Sequence, residues 1–258
     1  MFDAVLHGKV PSALLGLEDV LTSNVFGTLR REHPSDGLAR FLETAYREES
    51  GKREMLSRVL GDIESASYEF WPPLSETDCI FAEPDVVVIT QDAGKRKSAV
   101  LVEAKLYSGK SSGPGTGLRP RDQLAREYDN LVRWALRLHA IPAERCHLVY
   151  CTAGIGPPTE EMRQAEDEYK KKRKAELHVY WMTWRVLPRL LQGSSRPLLR
   201  ELAEVVKRMG LVFYEGVTPF PEAVPGPTDL WSFRKGDIGH GWRPVPGLPQ
   251  PWTFSRVV

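Results

Sequence analysis

Asp85, Glu103 and Lys105 are the residues whose types and spacing offer chemistry in this sequence. Asp85 follows Pro84 and opens an apolar, β-branched run to Thr90 (DVVVIT), while Glu103 and Lys105 close a second run, Ser98 to Leu106 (SAVLVEAKL). Both runs have strand composition, and Asp92, Ala93 and Gly94 between them suit a turn, so a hairpin is expected. Side chains alternate along a strand, which puts Glu103 and Lys105 on one face and Val102 and Ala104 on the other. The hairpin then brings Asp85 beside Glu103. Two carboxylates can hold a hard divalent cation, Mg²⁺ with Mn²⁺ able to substitute, that neutralises a phosphate and lowers the pKa of a bound water. Lys105 would orient or help deprotonate that water, or stabilise charge on the phosphate; the sequence does not separate these roles. Each residue also has an ordinary reading: Asp85 as a turn cap, Glu103 with Lys105 as a solvated ion pair.

A third carboxylate comes from the first helix. From Ser12 to about Arg31 the apolar residues Leu14, Leu21, Val25 and Phe26 recur at helical spacing, with Ser12 as the candidate N-cap. At about 100° per residue, Leu14, Glu18, Leu21 and Val25 share one stripe, so Glu18 interrupts the side that should be buried. An unpaired carboxylate there costs roughly several kcal/mol, which calls for a metal, a cation or a water opposite it. The alternative places Glu18 at the stripe's edge, reaching solvent.

The elements that must position these groups alternate. Ser35 to Glu48 and Lys52 to Asp62 are expected as two further amphipathic helices, and Tyr68 to Trp71 as a strand stopped by Pro72 and Pro73. Residues 108 to 120 are too rich in Gly, Ser and Pro for regular structure and are expected to be mobile. Asp122 can cap a helix carrying Leu124, Tyr128, Leu131, Ala135 and Leu138. Cys146 to Thr152 and Leu177 to Met182 are expected strands; Thr159 to Lys174, Trp184 to Gln192 and Pro197 to Met209 are expected helices. The outcome is an α/β fold: a mixed sheet, antiparallel in the early hairpin and parallel at Cys146 to Thr152, with helices on both faces. Residues 1–210 are expected to form one domain. Residues 211–258, rich in Pro, Gly and Trp, are expected as an extension packed on it or on a partner.

Composition excludes several classes. The 258 residues are 41% hydrophobic and carry a net charge of only +1, so no global field draws the chain to nucleic acid, and any basic surface is local. No apolar run approaches a membrane span and no leader follows Met1, which predicts a cytoplasmic protein without a membrane partner. Cys79, Cys146 and Cys151 lack metal-ligand spacing and are expected as reduced, mostly buried thiols. A homodimer or a protein partner stays open.

Pro84, Asp85, Glu103, Ala104 and Lys105 together resemble the signature of the PD-(D/E)XK nuclease superfamily, which has the restriction-endonuclease-like fold. Its αβββαβ core would run here from Ser12 to Thr152, and Leu17 to Gly27 (LEDVLTSNVFG) is similar to the opening helix of its bacterial members. The family often carries an acid on the first helix and a glutamine on the helix after the motif strand; Glu18 and Gln123 match those positions. The resemblance implies a Mg²⁺-dependent nuclease that cleaves DNA in preference to RNA, in restriction, phage defence or repair. Asp85, Glu103 and Glu18 would be its metal ligands, with Lys105 and Gln123 catalytic. Gln123 alone reads equally as an exposed helix-start residue.

Two other readings compete. Ala104 to Ser111 (AKLYSGKS) meets a relaxed phosphate-loop pattern, but Ser112, Gly113, Pro114 and Gly115 follow where a helix would have to start, which argues against an NTPase. A nucleic-acid or partner-binding protein without catalysis is the remaining alternative. Lys110, Arg119 and Arg121 are the candidate phosphate contacts, with Arg126 and the hairpin-turn residues Lys95, Arg96 and Lys97 as possible additions beside the site. The Lys170 to Lys174 run, His139 and His147 are read as structural.

Overall fold

The structure is a computed structural model and describes residues 17–49 and 51–213. The expected N-cap Ser12, Leu14 and the whole of the tail beyond Phe213 lie outside the described residues. The chain opens with α1 (Glu18–Leu29) and α2 (Leu38–Leu42), followed by β1 (Tyr46–Glu49), β2 (Lys52–Met55) and α3 (Ser57–Leu60). Then come β3 (Ile63–Phe70), β4 (Val86–Asp92), β5 (Lys97–Lys105), α4 (Gln123–His139), β6 (Cys146–Thr152) and α5 (Thr159–Arg173). β7 (Val179–Thr183), α6 (Leu187–Leu191) and α7 (Pro197–Arg208) complete the described chain.

The strands form one seven-stranded mixed sheet in the order β2-β1-β7-β6-β5-β4-β3, giving the α/β class. β3, β4 and β5 are an antiparallel meander, and β5, β6 and β7 run parallel, joined by α4 and α5. Alternation sorts the strands' side chains into two cores. Val86, Val88, Val100, Val102 and Ala104 pack with α1, α2, α6 and α7, while Val87, Ile89, Ala99 and Leu101 pack with α4 and α5. The β4–β5 turn is fixed by Asp92, whose carboxylate accepts the Arg96 N–H at 2.9 Å while Lys95 takes φ +63°. Asp122 caps α4 as expected, accepting from Leu124 N at 3.1 Å.

Two expected helices are not there. Ser35 to Glu48 breaks into a short turn, α2 and β1, and Lys52 to Asp62 splits into β2 and the single turn α3. Arg, Glu, Lys and Leu favour helix locally, but this hairpin closes the far edge of the sheet, where Tyr46 pairs with Trp181 and meets its ring edge-on at 5.6 Å. Arg47 opposite Glu54 and Glu48 opposite Arg53 place opposite charges across the ladder. Charged side chains also suit an edge strand, because they discourage pairing with another chain. The strand before Pro72 is longer than expected, starting at Ile63, and Leu138 is exposed rather than core. Among the described residues no helix is long and apolar enough to cross a membrane. All three cysteines are free; Cys146 and Cys151 are buried.

The loop from Ser108 to Arg121 has no regular structure, yet it is anchored rather than loose. Glu168 on α5 is buried and accepts hydrogen bonds from Gly115 N (2.9 Å), Arg121 N (3.1 Å) and Asp122 N (2.7 Å). Gln123 Oε1 accepts from Ser111 N at 2.7 Å. One carboxylate holding three backbone donors makes Glu168→Ala an informative change: it should cost about 2–4 kcal/mol, measured by urea unfolding, and open the loop to limited proteolysis. Unaltered protease resistance would show that the loop is held by other means.

Candidate functional site

The site forms at the end of β4 and β5 remote from their turn. Continuing the register one step beyond the paired Val86 and Val102 sets Asp85 opposite Glu103 on the α4 side of the sheet. Asp85 Oδ2 accepts the Ala104 N–H at 2.8 Å, which locks the two strand ends together. The Lys105 ammonium donates to Glu103 Oε1 at 2.6 Å and to Glu18 Oε1 at 3.0 Å. Glu18 stands at the first turn of α1 and its second oxygen, Oε2, accepts from Leu106 N at 2.8 Å and the Ser108 hydroxyl at 3.4 Å. Gln123, at the start of α4, donates through Nε2 to Glu103 Oε1. Five side chains from two helices and two strands therefore meet, and the expected partner opposite Glu18 is Lys105.

Burial makes this cluster electrostatically tense. Asp85 and Glu103 are both less than a tenth exposed. Burial first, and then repulsion from Glu103, raises the Asp85 carboxyl to about 7 against the help of the Ala104 N–H and Lys105. Glu103 is pushed well above the ordinary carboxylate range by burial and by a neighbour the sequence reading missed, Glu127. Glu127, on α4, is 1% exposed, and burial raises its carboxyl to about 7 as well. Burial acts to lower the Lys105 ammonium, but Glu103 and Glu18 outweigh it and hold it above its usual value. That favours stabilising or orienting roles for Lys105 over that of a base.

A pH dependence follows from these shifts. Asp85 and Glu127 hold protons in the native state that the unfolded chain has already released near pH 4, so stability should fall as pH rises from about 4 to about 7. At about 1.4 kcal/mol per pH unit, each group alone accounts for about 3–4 kcal/mol across that window. Urea midpoints across that window measure the slope, and Asp85→Asn should flatten it; an identical slope would mean that Asp85 is ionised throughout.

Beside Lys105 lies a cleft of about 210 Å³, lined among others by Tyr107, Ser108, Tyr150, Thr152 and Glu161. The Tyr150 hydroxyl donates to Glu161 Oε2 at 2.9 Å. Of the clustered side chains, Lys105 is the one that lines this cleft.

The basic residues fare differently from the acids. Lys110 does not point outward: its ammonium is buried against the Asp122 carboxylate and donates to Glu161 O at 2.8 Å. The helix that a phosphate loop would need is also absent between Ser111 and Gln123. Arg119 is half exposed and pairs with Asp78 at 3.0 Å. Arg121 is exposed, its stem running so close to Gly115 that a Cβ there would meet it at 2.7 Å. Lys95, Arg96 and Lys97 cannot flank the site, because the nine-residue β5 separates its two ends by about 25 Å. Arg173 within the basic run pairs with Asp129, and His147 is buried, its pKa lowered to about 4 by burial.

Among the described residues no group of three or more His, Cys, Asp and Glu side chains is arranged to hold a metal ion. The donors themselves are of the right kind: carboxylate oxygens suit a hard divalent cation, and the raised Asp85, Glu103 and Glu127 carboxyls mark a place where added positive charge is favoured. The signal for Glu127 was present in the sequence: it lies between Leu124 and Leu131 on the buried side of α4, as Glu18 interrupts the stripe of α1. The chain matches no protein-family model, no curated protein and no solved structure.

Proposed function

We propose that this chain is a metal-dependent nuclease that hydrolyses phosphodiester bonds in DNA, on a restriction-endonuclease-like core of the PD-(D/E)XK type. The observation that carries the reading is the convergence of Glu18, Asp85, Glu103, Lys105 and Gln123 at one end of the sheet, from positions far apart in sequence. The order α1, β3, β4, β5, α4, β6, with the β1–β2 hairpin inserted after α1, supports it. Asp85 and Glu103 would hold Mg²⁺ or Mn²⁺, which supplies charge neutralisation and an acidified water. Lys105 sits where its ammonium can face a phosphate in the adjoining cleft, and Glu18 and Gln123 fix the orientation of Lys105 and Glu103. Arg119 and Arg121, on the loop before α4, are the exposed cations available to the nucleic-acid backbone.

One observation favours a second reading. Lys105 and Gln123 already occupy Glu103 Oε1, as they would in a binding protein that keeps the cluster without using it. The test is purified protein with labelled duplex DNA, single-stranded DNA and RNA. DNA should be degraded with Mg²⁺ or Mn²⁺ but not with Ca²⁺, whose looser coordination positions water poorly. Equal cleavage in EDTA would end the metal mechanism, and retention of DNA without cleavage would favour the binder.

A further inference from the structure

Glu18 is a poor metal ligand as it stands. Its Oε1 carries the Lys105 ammonium and its Oε2 carries the Leu106 N–H and the Ser108 hydroxyl, so both oxygens are engaged by donors. Glu127 is the opposite case. It is 1% exposed, and among the described residues its Oε2 accepts no hydrogen bond. A buried carboxylate oxygen without a donor is uncommon in native proteins, and once Glu127 is ionised a bound cation would satisfy it. Glu127 lies one helical turn after Gln123, interacts with Gln123 and Glu103, and feels the charge of Asp85. Four carboxylates thus act on one another at this end of the sheet, and Lys105 is the ammonium bonded among them, to Glu18 and Glu103.

We propose that Glu127 is the third carboxylate of the divalent-cation site, with Asp85 and Glu103, in the place the sequence assigns to Glu18. The assignment rests on the metal-dependent nuclease reading. A cation beside the unpartnered Oε2 satisfies that oxygen and offsets the repulsion among Asp85, Glu103 and Glu127. Glu18 then acts through Lys105, holding the ammonium and the Leu106 backbone in place, and is a positioning residue.

Mn²⁺ binding to the full chain, followed by electron paramagnetic resonance and by titration calorimetry without substrate, separates the two acids. Glu127→Gln keeps the shape of the side chain and should weaken Mn²⁺ about tenfold or more, whereas Glu18→Gln should change it by less than about threefold. Thermal unfolding checks the fold: metal-free Glu127→Gln should melt at or above the wild-type temperature and lose the rise that Mn²⁺ produces in the wild type. Glu127→Asp, which keeps the charge and withdraws the oxygens, should bind with intermediate affinity. Wild-type affinity in Glu127→Gln overturns the assignment, as does a loss of about tenfold or more in Glu18→Gln, a result that needs no folded Glu127 variant. Failure of the wild type to bind Mn²⁺ at all is a different result and removes the metal-dependent reading itself.

Discussion

Asp85→Asn and Glu103→Gln should each reduce DNA cleavage by about a thousandfold or more, and Asp85→Asn, which breaks no ion pair, should leave the protein as stable as the wild type or more so. Loss of activity is expected because these two carboxylates stand opposite each other at the ends of β4 and β5 and, in the proposed nuclease, would supply the negative charge that holds the cation. Retained or increased stability is expected for Asp85→Asn because burial, and then repulsion from Glu103, raises the Asp85 carboxyl. The asparagine removes that buried charge at nearly constant volume. Initial cleavage rates with Mg²⁺, together with urea midpoints at about pH 7.5, test both halves. Cleavage at the wild-type rate by either variant would dismiss the site; a sharp loss of stability would mean that the carboxylates are paired more tightly than their surroundings indicate.

Lys105→Ala should also lose cleavage, but with the opposite effect on the fold. Its ammonium bonds Glu103 at 2.6 Å and Glu18 at 3.0 Å, and its side chain is only 10% exposed. Removing one partner of a buried pair leaves charge uncompensated, a loss of about 3–5 kcal/mol. The destabilisation should shrink at acid pH, because Glu103, raised well above the usual range, takes up a proton there and no longer needs the ammonium. Chemical denaturation at about pH 5 and about pH 8 measures the difference. Equal destabilisation at both would show that packing of the Lys105 stem, not its charge, holds this end of the sheet.

Local pattern determined much of this molecule. The β-branched runs on either side of Asp92-Ala93-Gly94 can scarcely be anything but a hairpin, and a two-residue period then forces Glu103 and Lys105 onto one face. The stripe of α1 likewise marked Glu18 as a carboxylate in need of a metal, a cation or a water, and Asp122 as the cap of α4 needed only its place before Gln123. Tertiary structure decided the rest. Helix formers between Ser35 and Asp62 became an edge hairpin because Tyr46 finds Trp181 on the neighbouring strand, a contact between residues far apart in sequence. Lys110 turned from a surface cation into the buried partner of Asp122, and the Gly-rich loop was tied down by Glu168, for the same reason. Sequence periodicity states which side of an element is buried; it does not state which charges from other elements arrive there. Whether a carboxylate meets an ammonium, as Glu18 does, or stays without a donor, as Glu127 Oε2 does, is a property of the assembled sheet and its helices.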